Sequence, residues 1–452
     1  MKIDNKIISA SPVVLFASFA LPSVLSLLAA QSAFMVDGIF VGNYVGPAAL
    51  AAINLVLPFM AVFMGITIML TVGAAVICGK YIGEGRATLA AQVFTKALTV
   101  LLVFAVLFMS LVLAGAEPLA ALLGANAEVS ELVVTYIRYV SVFLPFFALA
   151  IALMIFVRVD GRPMLSLGAM LAGAGLNVVL DYVLIAELGL GIKGAALATG
   201  ASQIATSSIL IVHLFKRDAN LRFVRPKGSW SVLGRAAYNG FSEFVNETSA
   251  GIVAFVFNWV LMLEFGAPGV ASFTIVNYIL AIGIMMSYGV SDALGPLVSV
   301  NYGARKPHRI KQFLTLGAAT NLMVGLLIVG VLLAYPKALI EVFLKEGSEH
   351  TTALTLSFIA YVWPVFLFNG LNIALTGYFT GVQCARQSAL VAITRALVLP
   401  IPLIFVGVHM FGPAGAFIAL PVAEALTLLL AVYLVRRKSP SRVVGLAVPA
   451  LS

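Results

Sequence analysis

Twelve stretches of about twenty or more mostly apolar residues follow one another along this chain, and a helix needs about that length to cross a bilayer. They lie near 12–36, 50–77, 92–114, 130–156, 164–186 and 191–214, then near 235–262, 270–298, 312–334, 352–379, 388–408 and 413–435. In lipid, every backbone N–H and C=O must be satisfied within the segment, so continuous apolar runs become helices. A membrane barrel would instead show short alternating segments. Composition agrees: 62% of the 452 residues are apolar and 10% are charged, against roughly 25% charged in soluble domains. That leaves too little polar surface for a water-soluble globule. It excludes an ordinary cytosolic enzyme, a nucleic-acid binder and a disordered chain. The expected fold is all-α, a polytopic membrane protein of twelve transmembrane helices.

Basic residues orient the spans. With the N-terminus inside, all but four of the 27 Lys and Arg fall at cytoplasmic ends, the exceptions being Arg138, Lys193, Lys337 and Lys345. Such asymmetry is the positive-inside signal, so the net charge of +9 marks topology rather than a nucleic-acid site. Both termini are expected in the cytoplasm, with the chain multi-pass in the cytoplasmic (inner) membrane. The apolar run that follows Lys2 and Lys6 reads as span 1 rather than a signal peptide, having no clear small-residue cleavage site. Cys78 and Cys384 read as small apolar residues, since a disulfide framework needs more cysteines.

The two halves match each other. At an offset of 220, Gly46 falls on Gly266, Val56 on Val276 and Gly83 on Gly303, and at 221 Gly194-Ala195 falls on Gly415-Ala416. Six spans per half is an even number, so both copies enter the membrane in the same direction. Parallel repeats of this kind are a transporter signature. The expected organisation is an N-lobe at 1–215, a cytoplasmic linker at 216–234 and a C-lobe at 235–452.

Charge inside the membrane costs roughly 2.5–3.5 kcal/mol per residue and therefore needs a reason. Asp37 lies near the outer end of span 1. Asn177 and Asp181 share one face of the outer half of span 5, being four residues apart. Thr199 lies a few turns into span 6, which starts outside. Two carboxylates, an amide and a hydroxyl thus converge on one depth, a set of hard oxygen ligands suited to a proton or a small alkali cation such as Na⁺. The plainer readings are a solvated residue at a span end for Asp37 and a structural hydrogen-bond pair for Asn177 and Asp181. The repeat weighs against them. Asp37 corresponds to Phe257, Asn177 to Pro400, Asp181 to Ile404 and Thr199 to Leu420, so the polar set belongs to the N-lobe.

Pro22 interrupts span 1 about four turns before Asp37, where a proline removes a hydrogen bond and kinks or weakens a helix. It is a candidate gating kink, with static packing as the alternative. Glu243 and Glu247, four residues apart on span 7, are candidate C-lobe substrate or cation residues, together with Asn369 and Asn372 of span 10; Asp292 and Glu424 have no assigned role. No nucleotide-binding loop, metal-ligand spacing or nucleophile–base constellation occurs, so neither enzyme activity nor a cofactor is expected.

These residues resemble the multidrug and toxic compound extrusion (MATE) transporters over nearly the whole chain. The pieces that carry the resemblance are Asp37 to Gly42, Asn177 to Asp181, Arg158 to Pro163, Gly194 to Thr199, and Glu247 followed by Phe257-Asn258. The resemblance implies a two-lobe, V-shaped twelve-helix fold that exchanges Na⁺ or H⁺ for organic cations and drugs by alternating access. It implies a cation site at Asp37, Asn177, Asp181 and Thr199, joined by Tyr136 of span 4. The branch with a C-lobe cation site carries an acid on span 10, where this chain offers only Asn369 and Asn372. The resemblance is therefore to the DinF-like branch, coupled through the N-lobe. The chain is expected to act as a monomer. A lipid-linked precursor flippase of related architecture is the alternative; it should line its cavity with Arg or Lys, whereas the buried ionisable groups here are mostly acidic, apart from Arg138 and Arg395.

Overall fold

The computed structural model describes residues 6–216, 218–343, 349–412 and 414–445. Lys2, Arg217 and Lys345, used in the count of basic residues, lie outside them. Among the described residues the regular structure is entirely helical. Ten helices are long and apolar enough to cross a membrane, and two bent pairs bring the total to twelve. The first six spans are Pro12–Val45, Pro47–Gly83, Ala87–Ala114, the pair Ser130–Ser141 and Leu144–Val159, Pro163–Glu187 and Gly191–Phe215. The second six are Ser231–Glu264, Ser272–Gly303, Pro307–Ala334, the pair Thr351–Val362 and Val365–Gly381, Ala385–Phe411 and Ala414–Arg437. The expected all-α polytopic fold is the observed one.

Proline and glycine punctuate these helices for identifiable reasons. Pro47, Pro163, Pro307 and Pro400 stand in the first turn of their helices, where a missing N–H leaves nothing unsatisfied. Spans 4 and 10 bend by 53° and 50°, with Pro145 and Pro364 at the breaks; each lacks the amide hydrogen that would continue the preceding turn. Positive φ recurs in matched pairs. Gly46 (115°) pairs with Gly266 (64°), Gly85 (74°) with Arg305 (53°), Gly161 (85°) with Gln383 (60°) and Gly191 (59°) with Gly412 (64°). The offsets within these pairs are 220, 220, 222 and 221 residues. Left-handed backbone is uncommon outside glycine, so its retention at Arg305 and Gln383 shows that the repeat is one of backbone geometry as well as sequence.

Contacts divide the chain into two compact units. The first comprises Met1–Ser9 with Leu25–Phe244, and the second Ala10–Val24 with Val245–Ser452. The start of span 1 thus belongs with the second half of the chain, and the start of span 7 with the first. In the second unit, Arg309 donates to the Ala10 carbonyl at 2.8 Å. In the first, Gly73 of span 2 and Gly240 of span 7 let two backbones meet. A Cβ on Gly73 would stand 1.8 Å from the Ala236 oxygen, and one on Gly240 would stand 1.9 Å from the Met69 oxygen.

Most of the segment read as a linker is docked on the first unit. Lys96 is buried, and its ammonium is satisfied by the carbonyls of Lys227, Gly228 and Ser229 at 2.6, 3.3 and 2.9 Å, as a buried charge requires. The Val224 amide donates to the Thr95 hydroxyl at 3.2 Å, and Phe223 packs on Phe94. Asp160 pairs with His213 at 2.7 Å and accepts from the Asn220 side chain at 2.8 Å, while Arg162 bonds Asp218. Within Arg158 to Pro163, Asp160 and Arg162 thus clasp the linker, while Arg158 bonds back to the Met154 carbonyl of its own helix at 3.3 Å.

Each unit has its own apolar core. Phe59, Phe63, Phe104 and Phe108 stack together in the first, and Phe257, Phe273, Phe358 and Phe417 in the second. The close backbone approach at Gly240 predicts that Gly240→Ala destabilises the protein by about 1–3 kcal/mol, through forced separation of packed helices. Gly234→Ala on the same span, where no atom lies within 4 Å of the new Cβ, leaves stability unchanged or slightly raised. Thermal melting of the purified variants in detergent measures both.

Candidate functional site

Span 1 carries Asp37 near its end, three residues before the α-helix gives way to a π-helical turn at Val41–Val45. Span 5 carries Asp181 as the last residue before a second π-helical turn, Tyr182–Glu187. These two turns touch each other, and both touch span 6. A π turn adds a residue to a helix and re-aims the side chains around it, which is why such turns concentrate at functional sites. On the second turn the Tyr182 hydroxyl donates to Glu187. On the first, Phe40 stacks on Tyr44.

The two carboxyl groups come together. Asp37 and Asp181 lie in side-chain hydrogen-bonding contact, and both are buried, Asp181 completely. Each oxygen is an acceptor, so this contact becomes a hydrogen bond only when a proton is shared. The protein supplies no donor to Asp37 Oδ1 or to either oxygen of Asp181. Tyr136, on the first part of span 4, is buried beside both carboxyls. Asn177 is buried on the same face as Asp181, one turn earlier, and its amide nitrogen has no partner. Thr199 is half-buried on span 6, which packs against span 5, and donates its hydroxyl to the Ala195 carbonyl at 2.9 Å. The structure thus gathers Asp37, Asp181 and Tyr136, holds Asn177 on their face, and leaves Thr199 on the neighbouring helix with its proton already engaged.

The repeat-related positions of the second unit are dry. Phe257, in place of Asp37, stacks on Phe273 at 4.8 Å and meets Phe417 edge-on at 5.6 Å. Ile404, in place of Asp181, is fully buried in the same cluster, with Leu420 packed against it. The carboxyl pair therefore has no counterpart in the second unit.

That unit has a different polar centre. Glu424 of span 12 accepts from Asn369 at 2.7 Å on one oxygen and from Asn372 at 2.7 Å on the other. Arg395 of span 11 lies 3.7 Å from Glu424 and donates at 3.0 Å to both the Asn246 side chain and the Tyr288 hydroxyl. The positive-inside pattern places Arg395 at a cytoplasmic end. It lies instead well inside span 11, on the π-helical turn Thr394–Val398, because its charge is met by Glu424 and not by water. Arg138, the other exception, is an exposed partner of Glu117 at 3.0 Å. The boundary between units falls between Glu243 and Glu247. Glu243 is half-buried in the first unit, and Glu247 is exposed in the second, next to Asn246. Pro22 is buried in a helix that runs on through it from Pro12 to Phe40.

Comparison with known proteins agrees with the duplicated architecture. The MatE family model matches residues 22–183 and again 246–406, one match in each half of the chain. The multidrug export protein MepA of Staphylococcus aureus (strain MSSA476) is 26% identical over 426 residues, spanning 92% of this chain and 93% of that protein. MepA of Staphylococcus saprophyticus is 25% identical over 425 residues, with the same shares covered. Among solved structures, a multidrug resistance MATE family transporter of the MOP superfamily in an outward-facing conformation superposes with a TM-score of 0.91 at 23% identity, covering 97% of this chain and 98% of that one. A MOP superfamily transporter from Pyrococcus furiosus Vc1 superposes with a TM-score of 0.90 at 23% identity and the same coverage; at that identity the fold is what is shared. With the family's pattern found twice and its twelve-helix fold spanning nearly every residue, the chain belongs to the MATE family.

Proposed function

We propose that this chain is a cation-coupled antiporter that exports small organic cations and other drugs, exchanging them for H⁺ or Na⁺ at Asp37 and Asp181. The observation that carries the reading is a buried pair of carboxyls to which the protein supplies no donor. Two like charges at contact in a low-dielectric interior cannot both persist without a positive partner, so a proton or a small cation is the natural occupant. Among the described residues no group of three or more His, Cys, Asp or Glu is placed to hold a metal, which favours a monovalent ion over a tightly chelated one. Inward movement of one positive charge gains roughly 2.3 kcal/mol per 100 mV of membrane potential, enough to bias an alternating-access equilibrium.

Names of relatives support the export reading, since MepA is described as a multidrug export protein. The flippase alternative is not favoured: Arg138 and Arg395, the two basic residues it would draw on, are already paired with Glu117 and Glu424. Coupling through the first unit alone is the DinF-like arrangement. Both termini face the cytoplasm and the monomer is the working unit in this reading. Pro22 serves as the hinge, because span 1 passes from the second unit to the first between Val24 and Leu25, within one turn of the hydrogen bond that the proline removes.

Drug efflux from proteoliposomes with independently imposed H⁺ and Na⁺ gradients tests the coupling. The wild type should respond to one of the two gradients, and Asp37→Asn should abolish that response while the protein still inserts and folds. Retention of gradient-driven efflux by Asp37→Asn would refute the coupling role. In the same assay Pro22→Ala should slow exchange without abolishing drug binding; an unchanged rate removes the hinge. Asp181→Asn gives Asp37 a donor and relieves the like-charge contact. It should therefore raise stability by about 1–3 kcal/mol, with a gain that grows as pH rises and vanishes where the carboxyls are protonated, measured by melting across pH.

A further inference from the structure

The carboxylate of the second unit is placed very differently from those of the first. Glu424 has an amide donor on each oxygen and a guanidinium 3.7 Å away. Asn372 also reaches the Glu424 backbone carbonyl at 2.8 Å, which fixes span 12 against span 10 at this level. The guanidinium in turn bonds Asn246 of span 7 and the Tyr288 hydroxyl of span 8. Arg395 and Glu424 are 9% and 11% exposed, so the ion pair lies within the body of the unit. One centre therefore ties five of its six spans together. Arginine suits the position because its planar fork serves several acceptors at once and does not lose its proton in a protein.

We propose that Arg395 is a built-in counter-ion, a permanently attached cation that does for Glu424 what a mobile ion does for the carboxyl pair of the first unit. It acts as a positioning residue. Through Asn246 it sets span 7 next to Glu247, and by keeping Glu424 neutralised it leaves this unit without a place for a coupling ion. The inference rests on the cation-coupled reading of the first unit and deepens it, since it assigns the exchange to one unit and gives the physical reason why the other takes no part. Removal of one partner from a buried pair leaves an uncompensated charge. An Arg395→Gln protein should therefore recruit a proton or Na⁺ to Glu424, turning a fixed centre into a titratable one.

The test uses the full chain in detergent, in a background carrying Asp37→Asn and Asp181→Asn so that the first unit contributes no carboxyl. In that background, melting with Arg395 present should not respond to Na⁺. Addition of Arg395→Gln should make the melting temperature rise by about 2–4 °C with Na⁺ or on acidification. Further addition of Glu424→Gln should remove that dependence and restore a flat profile. The other titratable groups next to the centre are Glu247, beside Asn246 on span 7, and Tyr288 itself with Asp292 one turn on along span 8. A response that survives Glu424→Gln would belong to them and would overturn the proposal. So would a flat profile for the Arg395→Gln protein, or its failure to fold at every Na⁺ concentration and pH when the Arg395→Gln, Glu424→Gln protein does fold. If both neutralised proteins fail to fold, Arg395→Lys decides: it keeps the charge and should restore folding, and its failure to do so would show that shape rather than charge is what the site requires. Because Asp37 and Asp181 are neutral throughout, these outcomes do not depend on whether the first unit couples transport to an ion.

Discussion

A carboxylate inside a bilayer must find a positive partner, and how each unit meets that requirement organises this molecule. In the first unit Asp37 and Asp181 face each other with no donor from the protein. In the second, Glu424 is saturated by Asn369, Asn372 and Arg395. The same electrostatic debt is left open in one case and closed in the other. An open requirement is a place where an ion can bind and leave, and a closed one is a rigid joint. In the proposed antiport, the first unit would supply the driving force and the second a fixed frame.

The duplicated backbone makes the contrast sharper. Paired left-handed residues and two bent spans show that the halves are built on one plan, yet the plan carries opposite contents at equivalent depths. Where the first unit buries Asp37 and Asp181, the second buries Phe257 and Ile404 in an aromatic core. Burial of those apolar side chains stabilises the second unit. Burial of unpaired carboxylates carries a cost instead, and the first unit buries two. π-helical turns follow Asp37 and Asp181 and contain Arg395, whereas Glu424 stands in a regular α-helix. Such turns cost regular hydrogen bonding and are kept where side chains must be aimed.

Much of this was legible in the residues. The spans were readable because apolar runs bounded by polar residues leave few alternatives in lipid. The carboxyl pair was readable because depth along two outward-running helices put Asp37 and Asp181 at one level. Arg395 was misplaced because its position near the start of an apolar run resembles a cytoplasmic end, and its partner is brought in by packing of spans 11 and 12. The exchange of segments between units at Val24 and Val245 leaves no mark in composition, since both sides of each boundary are equally apolar. The linker looked like a basic spacer; its docking depends on Lys96 and Asp160, which are distant in sequence and carry no local signal. The π turns have no residue signature at all.

If a small cation occupies the carboxyl pair of the first unit, direct counting of bound ions will reveal it. Equilibrium uptake of Na⁺, and of protons after a pH jump, would be measured on the purified protein and on a variant with both Asp37 and Asp181 changed to Asn. The wild type should bind one more ion of one kind per chain than the variant does. Identical uptake of both ions by the two proteins would contradict that occupancy.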